Sequence, residues 1–339
     1  MSRFTKPPRL LPGDTVGVIS PSAGLAALFP HRAERGAAAL ERLGFKVVFG
    51  ACARSRRGYL SGTAAERAAD IHAFAADPAV RAVISSIGGD HSCQILPLLD
   101  WELLRANPKI WMGFSDMMVL NVALMAAAGL VTFNGPHLMT ELADFPAAPA
   151  YSIDSMLRLL TDPAPAGRLE PSPWQTDEFL DWGAQADLTR ERARTPAPGW
   201  RWIKPGAAEG HLVGGCLESL QHLRGTRFWP DWRGAILFLE TSEEVPSPEK
   251  VDGILMDYQN MGVFDQISGL LWGRSSGYDE AMHAELEAIL LERTAAYQFP
   301  IVTRMDFGHT SPMLTMPLGC LARLDSAARS FELIEGAVA

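Results

Sequence analysis

Predicted strands and helices alternate along the first half of the chain, and this alternation restricts the fold more than any other feature. The predicted strands lie at 15–19, 45–49, 80–87 and 110–112, and the predicted helices at 31–43, 64–76 and 117–128. Strands joined by helices imply parallel βαβ units in a sheet that helices cover on both faces. Ligands of such sheets bind beyond the carboxyl ends of the strands. The sequence therefore predicts an α/β fold with a site at that edge.

Length, charge and cysteine spacing exclude several classes of protein. A chain of 339 residues that is 47% hydrophobic is expected to form two domains rather than one. Its net charge of −9 argues against a nucleic-acid or anionic-membrane partner. The four cysteines form no CxxC pair, so neither a metal site nor a disulfide framework is expected. No apolar run reaches the roughly 18 residues of a membrane span, and no signal pattern opens the chain. We expect a cytoplasmic protein.

A serine follows the predicted strand at 110–112. Ser115 lies on a sharp strand-to-helix turn, as the nucleophile of an elbow does, where the helix N-terminus faces developing negative charge. The elbow motif G-x-S-x-G is incomplete, because Met117 stands where its last glycine belongs. A helix N-cap is the alternative and more ordinary role for this serine.

A glycine pair follows the strand at 80–87. Gly88 and Gly89 fit neither G-x-G-x-x-G nor the P-loop pattern, so a nucleotide-cofactor site is a poor interpretation. A glycine pair can instead bring backbone N–H groups close to a reacting carbonyl. A plain tight turn explains the segment equally well.

A serine nucleophile needs a base, and the base needs a carboxylate that fixes its tautomer. Glu240 ends a predicted strand at 235–240, and His309 follows another at 300–303, so the order along the chain is Ser115, Glu240, His309. Each alone has an ordinary structural explanation. Spacing does not choose His309 over the other histidines on predicted turns, which are His91, His137 and His211.

The composition changes between the two halves of the chain. We predict a nucleophile-bearing domain at 1–165, a Trp- and Pro-rich connector and substrate loop at 166–209, and a C-terminal domain at 210–339. A long irregular connector is either disordered or functional, and its tryptophans argue against disorder. Trp182 is a candidate for ligand contact, whereas Trp200 and Trp202 are better candidates for packing at a domain seam.

Short motifs along nearly the whole chain resemble those of the LD-carboxypeptidase family of serine peptidases, and within it those of the microcin C self-immunity branch. The motifs are LPGD at 11–14, VISPS at 18–22, GYLSG at 58–62, IGGDHS at 87–92, GFSD at 113–116, TFNGP at 132–136, VGG at 213–215, LE at 239–240 and FGH at 307–309. None is decisive alone, but their common order is strong evidence.

This resemblance implies a Ser-Glu-His triad at Ser115, Glu240 and His309, with an oxyanion hole formed by the backbone amides of Gly89 and Asp116. It implies a flavodoxin-like or glutamine-amidotransferase-like N-terminal domain with a parallel sheet, followed by a smaller β-rich C-terminal α/β domain. It also implies a homodimer. We expect no cofactor and no metal. The family hydrolyses amide bonds near a free carboxylate.

The substrate differs between branches of the family, which act on murein tetrapeptides or on an aminoacyl-nucleotide amide. The motif containing Gly88 and Asp90, and a loop at 174–182 in which Trp182 would stack on the nucleobase, resemble the second branch. Cys216 departs from the Asn that is common after the second glycine pair. Glu243 and its neighbour Glu244 stand where the immunity proteins carry basic residues, and acids there suit a substrate ammonium group.

We therefore expect substrate contacts at Gly88, Asp90, Trp182, Cys216 and Glu243. The leading hypothesis is a serine peptidase or amidase that cleaves a small peptide or an aminoacyl-nucleotide, as in microcin C detoxification. Removal of the terminal D-Ala from a murein tetrapeptide is the alternative within the family. A catalytically silent small-molecule-binding protein on the same scaffold is the hypothesis from another class.

Overall fold

A computed structural model describes residues 3–339, and its first sheet contains the strands of the alternating N-terminal segment. These strands are β1 (Thr15–Ile19), β2 (Lys46–Phe49), β3 (Val80–Ser85), β4 (Ile110–Met112) and β5 (Thr132–Asn134). They pair in parallel in the order β5-β4-β3-β1-β2. The core strands are buried apolar runs, as expected for a sheet covered on both faces. The predicted parallel α/β fold is confirmed.

Helices connect these strands. They are α1 (Leu25–Leu28), α2 (Pro30–Arg42), α3 (Ala64–Ala76), α4 (Trp101–Ala106), α5 (Met117–Ala123) and α6 (Ala150–Thr161). Thr63 and Glu66 form a capping box at the start of α3, in which each side chain accepts a hydrogen bond from the backbone N–H of the other residue. After α5 the chain forms a π-helical turn. The helical segment ends at Gly129, whose φ of 70° a glycine adopts without strain. The predicted helix at 117–128 therefore has two parts.

The second sheet contains most of the remaining strands. The strands after β5 are β6 (Gly167–Leu169), β7 (Trp174–Gln175), β8 (Thr195–Pro196), β9 (Arg201–Lys204), β10 (Ala207–Cys216), β11 (Ile236–Glu240), β12 (Gly269–Gly273), β13 (Ile301–Met305), β14 (Met316–Leu318), β15 (Leu321–Asp325) and β16 (Ser330–Leu333). Eight of them form a mixed sheet in the order β6-β16-β15-β10-β11-β12-β13-β9, whose central pairs from β10 to β13 are parallel. The expected separate β-rich C-terminal sheet is confirmed.

Two strands connect the halves of the molecule. β14, from the C-terminal part, pairs antiparallel with β5 and completes the first sheet. β6, from the connector, pairs with β16 in the second sheet. The second half also contains α7 (Leu217–Leu220), α8 (Pro248–Asn260) and α9 (Glu280–Arg293). The domain limits given above stay a prediction. Within residues 3–339 no helix is long and apolar enough to cross a bilayer.

A buried ion pair fastens the connector to the segment that contains His309. The carboxylate of Asp306 pairs with the guanidinium of Arg274, and both side chains are almost fully buried. Asp306 also accepts hydrogen bonds from the Ser172 backbone N–H at 3.0 Å and from the Trp200 indole at 2.6 Å. Arg274 donates onward to Thr310 Oγ1 at 2.9 Å. Trp200 therefore links the connector, to which it belongs, to the second sheet.

Removal of the Asp306 charge should destabilise the protein strongly, because Arg274 would then be buried without a counter-ion. We expect Asp306→Ala to lower the free energy of unfolding by about 3–5 kcal/mol. The exposed Asp265 offers a matched control, and Asp265→Ala should change it by less than about 0.5 kcal/mol. Urea denaturation followed by tryptophan fluorescence measures both, and equal small effects would contradict the role given to the pair.

Candidate active site

Ser115 lies on a strained turn between β4 and α5. Its φ of 54° is in the left-handed region, which a serine adopts only when its surroundings require it. The turn also needs Gly113, since a Cβ there would lie 2.3 Å from Oγ of Ser85. Helix α5 begins at Met117, and the Ser115 hydroxyl makes no capping bond within residues 3–339. Ser115 therefore does not cap the helix, and its hydroxyl stays available at the half-buried turn.

The glycine pair lies directly against this turn. A Cβ on Gly88 would stand 2.8 Å from Oγ of Ser115, and a Cβ on Gly89, whose φ is 133°, would stand 2.5 Å from Oγ of Ser22. Both positions therefore require glycine. Among the hydrogen bonds between described residues, the backbone N–H groups of Gly89 and Asp116 have no acceptor. Two free N–H groups beside a serine hydroxyl suit an anionic oxygen.

The side chain of Asp116 holds the glycine loop in place. It is fully buried, and its Oδ2 accepts three hydrogen bonds of 2.8 Å, from the His91 N–H, the Ser92 N–H and the Ser92 hydroxyl. The sequence pointed to the backbone of Asp116 but not to this carboxylate. Asp116 follows the serine and has no basic residue nearby in sequence. Nothing in that position indicates that its carboxylate binds another loop.

Glu240 and His309 meet in the second sheet. Glu240 ends β11 and is completely buried, and His309 follows β13 with 7% of its side chain exposed. Nδ1 of His309 lies 2.7 Å from Oε2 of Glu240. Gly308, with a φ of 104°, permits this contact, because a Cβ there would lie 2.6 Å from the same oxygen. With its proton on Nδ1, the imidazole donates a hydrogen bond to Oε2, so that neither of these two buried atoms lacks a partner.

The charges around His309 favour its protonated form. Burial by itself lowers the pKa of the imidazole, but the carboxylates of Glu240, Glu243 and Glu218 raise it to about 9. Oε2 of Glu243, a residue with a 71% exposed side chain, lies 3.0 Å from Nε2 of His309. This contact lacks hydrogen-bond geometry, so the buried Nε2 has no hydrogen-bond partner among the described residues, and Ser115 makes none to it.

The other candidate histidines are occupied elsewhere. His137 lines the same cavity, but burial lowers its pKa to about 3, and its Nε2 accepts a hydrogen bond of 3.1 Å from the Phe114 N–H. His91 packs against the ring of Tyr59, and His211 contacts a backbone carbonyl in the second sheet. Of the four histidines considered, His309 is the one with a carboxylate on Nδ1.

A cavity of about 360 Å³ opens beside Ser115 and His309. Of the predicted site residues, Gly88, Gly89, Trp182 and Glu243 also line it. Further lining residues were not indicated by the sequence as a site, although several lie in the Trp-bearing loop; they are Phe29, Arg32, Phe114, Glu141, Asp144, Asp177, Glu178, Phe179, Asp187 and Arg192. The cavity surface is mostly apolar, and six carboxylate side chains are among its lining residues.

Trp182 is positioned by contacts with α2 and with the residue that precedes this helix. The guanidinium of Arg32 lies 4.5 Å from the ring centroid, and Phe29 contacts the ring edge-on at 5.6 Å. Asp187 accepts a hydrogen bond of 2.9 Å from Arg32 and fastens the same loop to α2. Phe179, which is largely exposed, lies 5.6 Å from Trp182. Both rings line the cavity and together form an aromatic wall.

Two predicted contacts lie outside the cavity. Asp90 is exposed to solvent, and Cys216 is buried behind Glu240. Cys216, Glu240 and His309 bring donor atoms within 4.8 Å of one another, which could hold a metal ion. Burial and the charge of Glu240 raise the pKa of the Cys216 thiol well above its ordinary value, and a protonated thiol is a poor ligand. The expectation of no metal stays a prediction.

Both halves of the chain match a known family of proteins. Residues 16–135 match the LD-carboxypeptidase N-terminal domain, and residues 209–324 match the LD-carboxypeptidase C-terminal domain. The chain belongs to the LD-carboxypeptidase family. Both matched domains contribute to the site of this family member, since Ser115 lies in the first and Glu240 and His309 in the second.

Relatives within the LD-carboxypeptidase family carry different names. The chain is 31% identical over 327 residues to the microcin C7 self-immunity protein MccF of Escherichia coli, covering 95% of this chain and 94% of that one. It is 31% identical over 329 residues to a probable murein peptide carboxypeptidase of Bacillus subtilis, covering 96% and 93%. A solved structure of MccF in complex with aspartyl sulfamoyl adenosine superposes with a TM-score of 0.92 at 31% identity, covering 99% and 100%.

The titration of His309 tests the electrostatics of the site. We expect its imidazole to titrate near pH 9 in NMR spectra recorded from pH 5 to 10.5, and that pKa to fall by about 1–3 pH units in Glu240→Gln, because the amide no longer stabilises the imidazolium. Glu249→Gln, an exposed charge change outside the cavity, should leave the titration unchanged. A wild-type pKa near 6.5 would contradict the assignment.

Proposed function

We propose that this protein is a serine-type amidase that hydrolyses an amide bond in an aminoacyl-nucleotide or a small peptide. The observation that carries the proposal is the 2.7 Å contact between Glu240 and His309 at the cavity that also exposes Ser115 on its strained turn. A carboxylate on Nδ1 fixes the imidazole so that Nε2 faces the reacting groups. A missing member would favour a silent binding protein, and none is missing.

The proposed reaction has two stages. Oγ of Ser115 attacks the amide carbon while Nε2 of His309 takes the hydroxyl proton, and the N–H groups of Gly89 and Asp116 bind the resulting oxyanion. The C–N bond then breaks and the amine leaves with the proton from His309. In the second stage a water molecule, deprotonated by the same imidazole, attacks the acyl-enzyme and releases Ser115 and the acid. Glu240 stabilises the imidazolium in both stages.

The cavity wall supports a substrate that contains a flat ring. Trp182 and Phe179 present aromatic surface, as required for stacking on a nucleobase. A relative of this chain has been solved with aspartyl sulfamoyl adenosine, in which an aminoacyl group is joined to a nucleoside. We therefore infer an aminoacyl-nucleotide amide as the first substrate to test, with removal of D-Ala from a murein peptide as the second. A cytoplasmic homodimer stays part of the proposal.

Replacement of the nucleophile should abolish hydrolysis without unfolding the protein. We expect Ser115→Ala to lower kcat/KM for aspartyl sulfamoyl adenosine by at least about a thousandfold, since loss of a triad member removes the covalent step. Alanine occupies the same space, so the melting temperature should stay near that of wild type. The exposed Ser55 provides the control Ser55→Ala, which should retain full activity. Activity of Ser115→Ala within tenfold of wild type would refute the nucleophile assignment.

Loss of the Trp182 ring should affect the two substrate classes differently. Base–aromatic stacking contributes about 1–3 kcal/mol, so Trp182→Ala should lower kcat/KM for the nucleotide substrate by roughly 5- to 150-fold and barely change that for a murein tetrapeptide. Trp174 lies in the same connector but outside the cavity, so Trp174→Ala is the matched control. Equal losses on both substrates, with a lower melting temperature, would indicate that Trp182 serves packing alone.

A further inference from the structure

The lining of the cavity contains two carboxylates that no lysine or arginine neutralises. Most of the lining acids are satisfied within the protein: Asp144 pairs with Arg192, Asp187 with Arg32, Glu178 with Arg190, and Glu141 is a buried acid whose pKa burial raises. Asp177 and Glu243 are the exceptions. Within residues 3–339, neither has a lysine or arginine partner, and both arginines of the lining, Arg32 and Arg192, are already paired.

Both acids belong to segments that contact the loop containing Gly277. Oδ2 of Asp177 accepts a hydrogen bond of 2.9 Å from the Gly277 N–H. A Cβ on Gly277 would lie 2.7 Å from the side chain of Val245, so the loop that carries Glu243 packs against the other face of this residue. The two lining acids without a lysine or arginine partner are therefore linked through one loop.

The loop that carries Glu243 is anchored at its base. Glu218 accepts hydrogen bonds from the Ser242 backbone N–H at 3.0 Å and from the Ser242 hydroxyl at 2.7 Å. The next residue, Glu243, extends from this anchor toward the cavity. Its carboxylate is solvent-exposed except for the approach to Nε2 of His309. Because the anchor does not involve its side chain, Glu243 can change rotamer without disturbing the loop.

The carboxylate of Glu243 occupies the place that the reaction requires. Nε2 of His309 belongs to a side chain that is 7% exposed, it faces the cavity, and it has no hydrogen-bond partner among the described residues. In the proposed mechanism this atom must contact first the serine hydroxyl and then the leaving nitrogen. With Glu243 at 3.0 Å from Nε2, the imidazole is held as a charged pair instead.

We propose that Glu243, together with Asp177, binds an ammonium group on the acyl half of the substrate, and that this binding draws Glu243 away from Nε2 of His309. The inference rests on the proposed amidase function and adds a substrate class to it. In the proposed mechanism Nε2 of His309 works at the scissile bond. A carboxylate beside Nε2 is therefore close to substrate atoms that are a few bonds away from the scissile carbonyl. The α-ammonium of an aminoacyl group or the ammonium of a lysine-like side chain both offer the required charge at that range.

Binding of such a cation would prepare the base for catalysis. His309 faces the carboxylates of Glu240, Glu243 and Glu218 and the neutral imidazole of His137. When an ammonium group takes over Glu243, one of the three negative charges that hold the proton on His309 is neutralised. The pKa of the imidazole falls toward neutrality, and a larger fraction can accept the serine proton. An anionic acyl group would instead meet Asp177 and Glu243 without a counter-ion.

Hydrolysis of matched aminoacyl sulfamoyl adenosines tests this inference. Lysyl, norleucyl and aspartyl forms vary the side-chain charge, and the N-acetyl form of each removes the α-ammonium, so the two sources of positive charge are measured separately. We expect a cationic acyl group to raise kcat/KM by about 5- to 10-fold over its neutral counterpart, and an aspartyl group to lower it. Glu243→Gln should abolish the preference, Asp177→Asn should reduce it, and Glu249→Gln should leave it intact.

The same compounds, bound to Ser115→Ala and to Ser115→Ala/Glu243→Gln, separate this inference from the amidase proposal. Calorimetry should give about 5- to 10-fold tighter binding of the lysyl or α-ammonium form, and loss of that difference in the double variant. A preference in binding without turnover would reject the amidase and keep the cation site. Turnover of all forms at equal rates, or a charge preference that survives Glu243→Gln in both assays, would overturn the inference.

Discussion

The buried contact between Glu240 and His309 is the interaction around which the rest of this structure is arranged. A carboxylate with no exposed surface is unfavourable in a protein interior unless a partner compensates its charge, and His309 is that partner. The contact also requires its surroundings: Gly308 leaves room for the carboxylate, and Gly273 on the neighbouring strand approaches Glu240 too closely for any side chain. Close packing in the second sheet therefore permits the contact between Glu240 and His309 on which the proposed reaction depends.

Ser115, the proposed nucleophile, follows a strand of the other sheet, so the site depends on how closely the two sheets approach. Gly215 on β10 lies so near α5 that a Cβ there would stand 2.8 Å from the side chain of Met118. The strand β14 joins the first sheet directly, and the Asp306 network fastens the chain on either side of His309. Ser115 and His309 consequently face one cavity although they are far apart in sequence. A rigid frame suits a reaction that needs three groups in register.

Charge, rather than shape, distinguishes the two ends of the cavity. Around Trp182 several of the lining acids are paired with an arginine, and the aromatic rings dominate. Around His309 the carboxylates outnumber the basic groups, and the imidazole itself is their nearest positive charge. A ligand with a flat ring at one end and a positive charge at the other is complementary to both. The overall charge of −9 adds to this attraction for a cation.

Local sequence signals were sufficient to predict several helices and strands and some of the residues that line the cavity. Alternating apolar runs, capping residues and glycines predicted β4 and α3 at the limits observed, because these depend on neighbours along the chain. Motif order was enough to identify the family, and the triad at Ser115, Glu240 and His309 stays a prediction. The π-helical end after α5 was not predicted, and the connector was read as irregular although it contains four short strands.

Only the tertiary structure decided how these residues are used. Nothing along the chain indicates that the Asp116 carboxylate holds the glycine loop, that His137 is kept neutral by burial, or that Asp90 points to solvent. These roles depend on contacts between residues distant in sequence and on local burial. The sequence determined which groups can react. The fold determined which of them are desolvated and paired, and therefore that Glu243 stands at His309 while Cys216 lies buried behind Glu240.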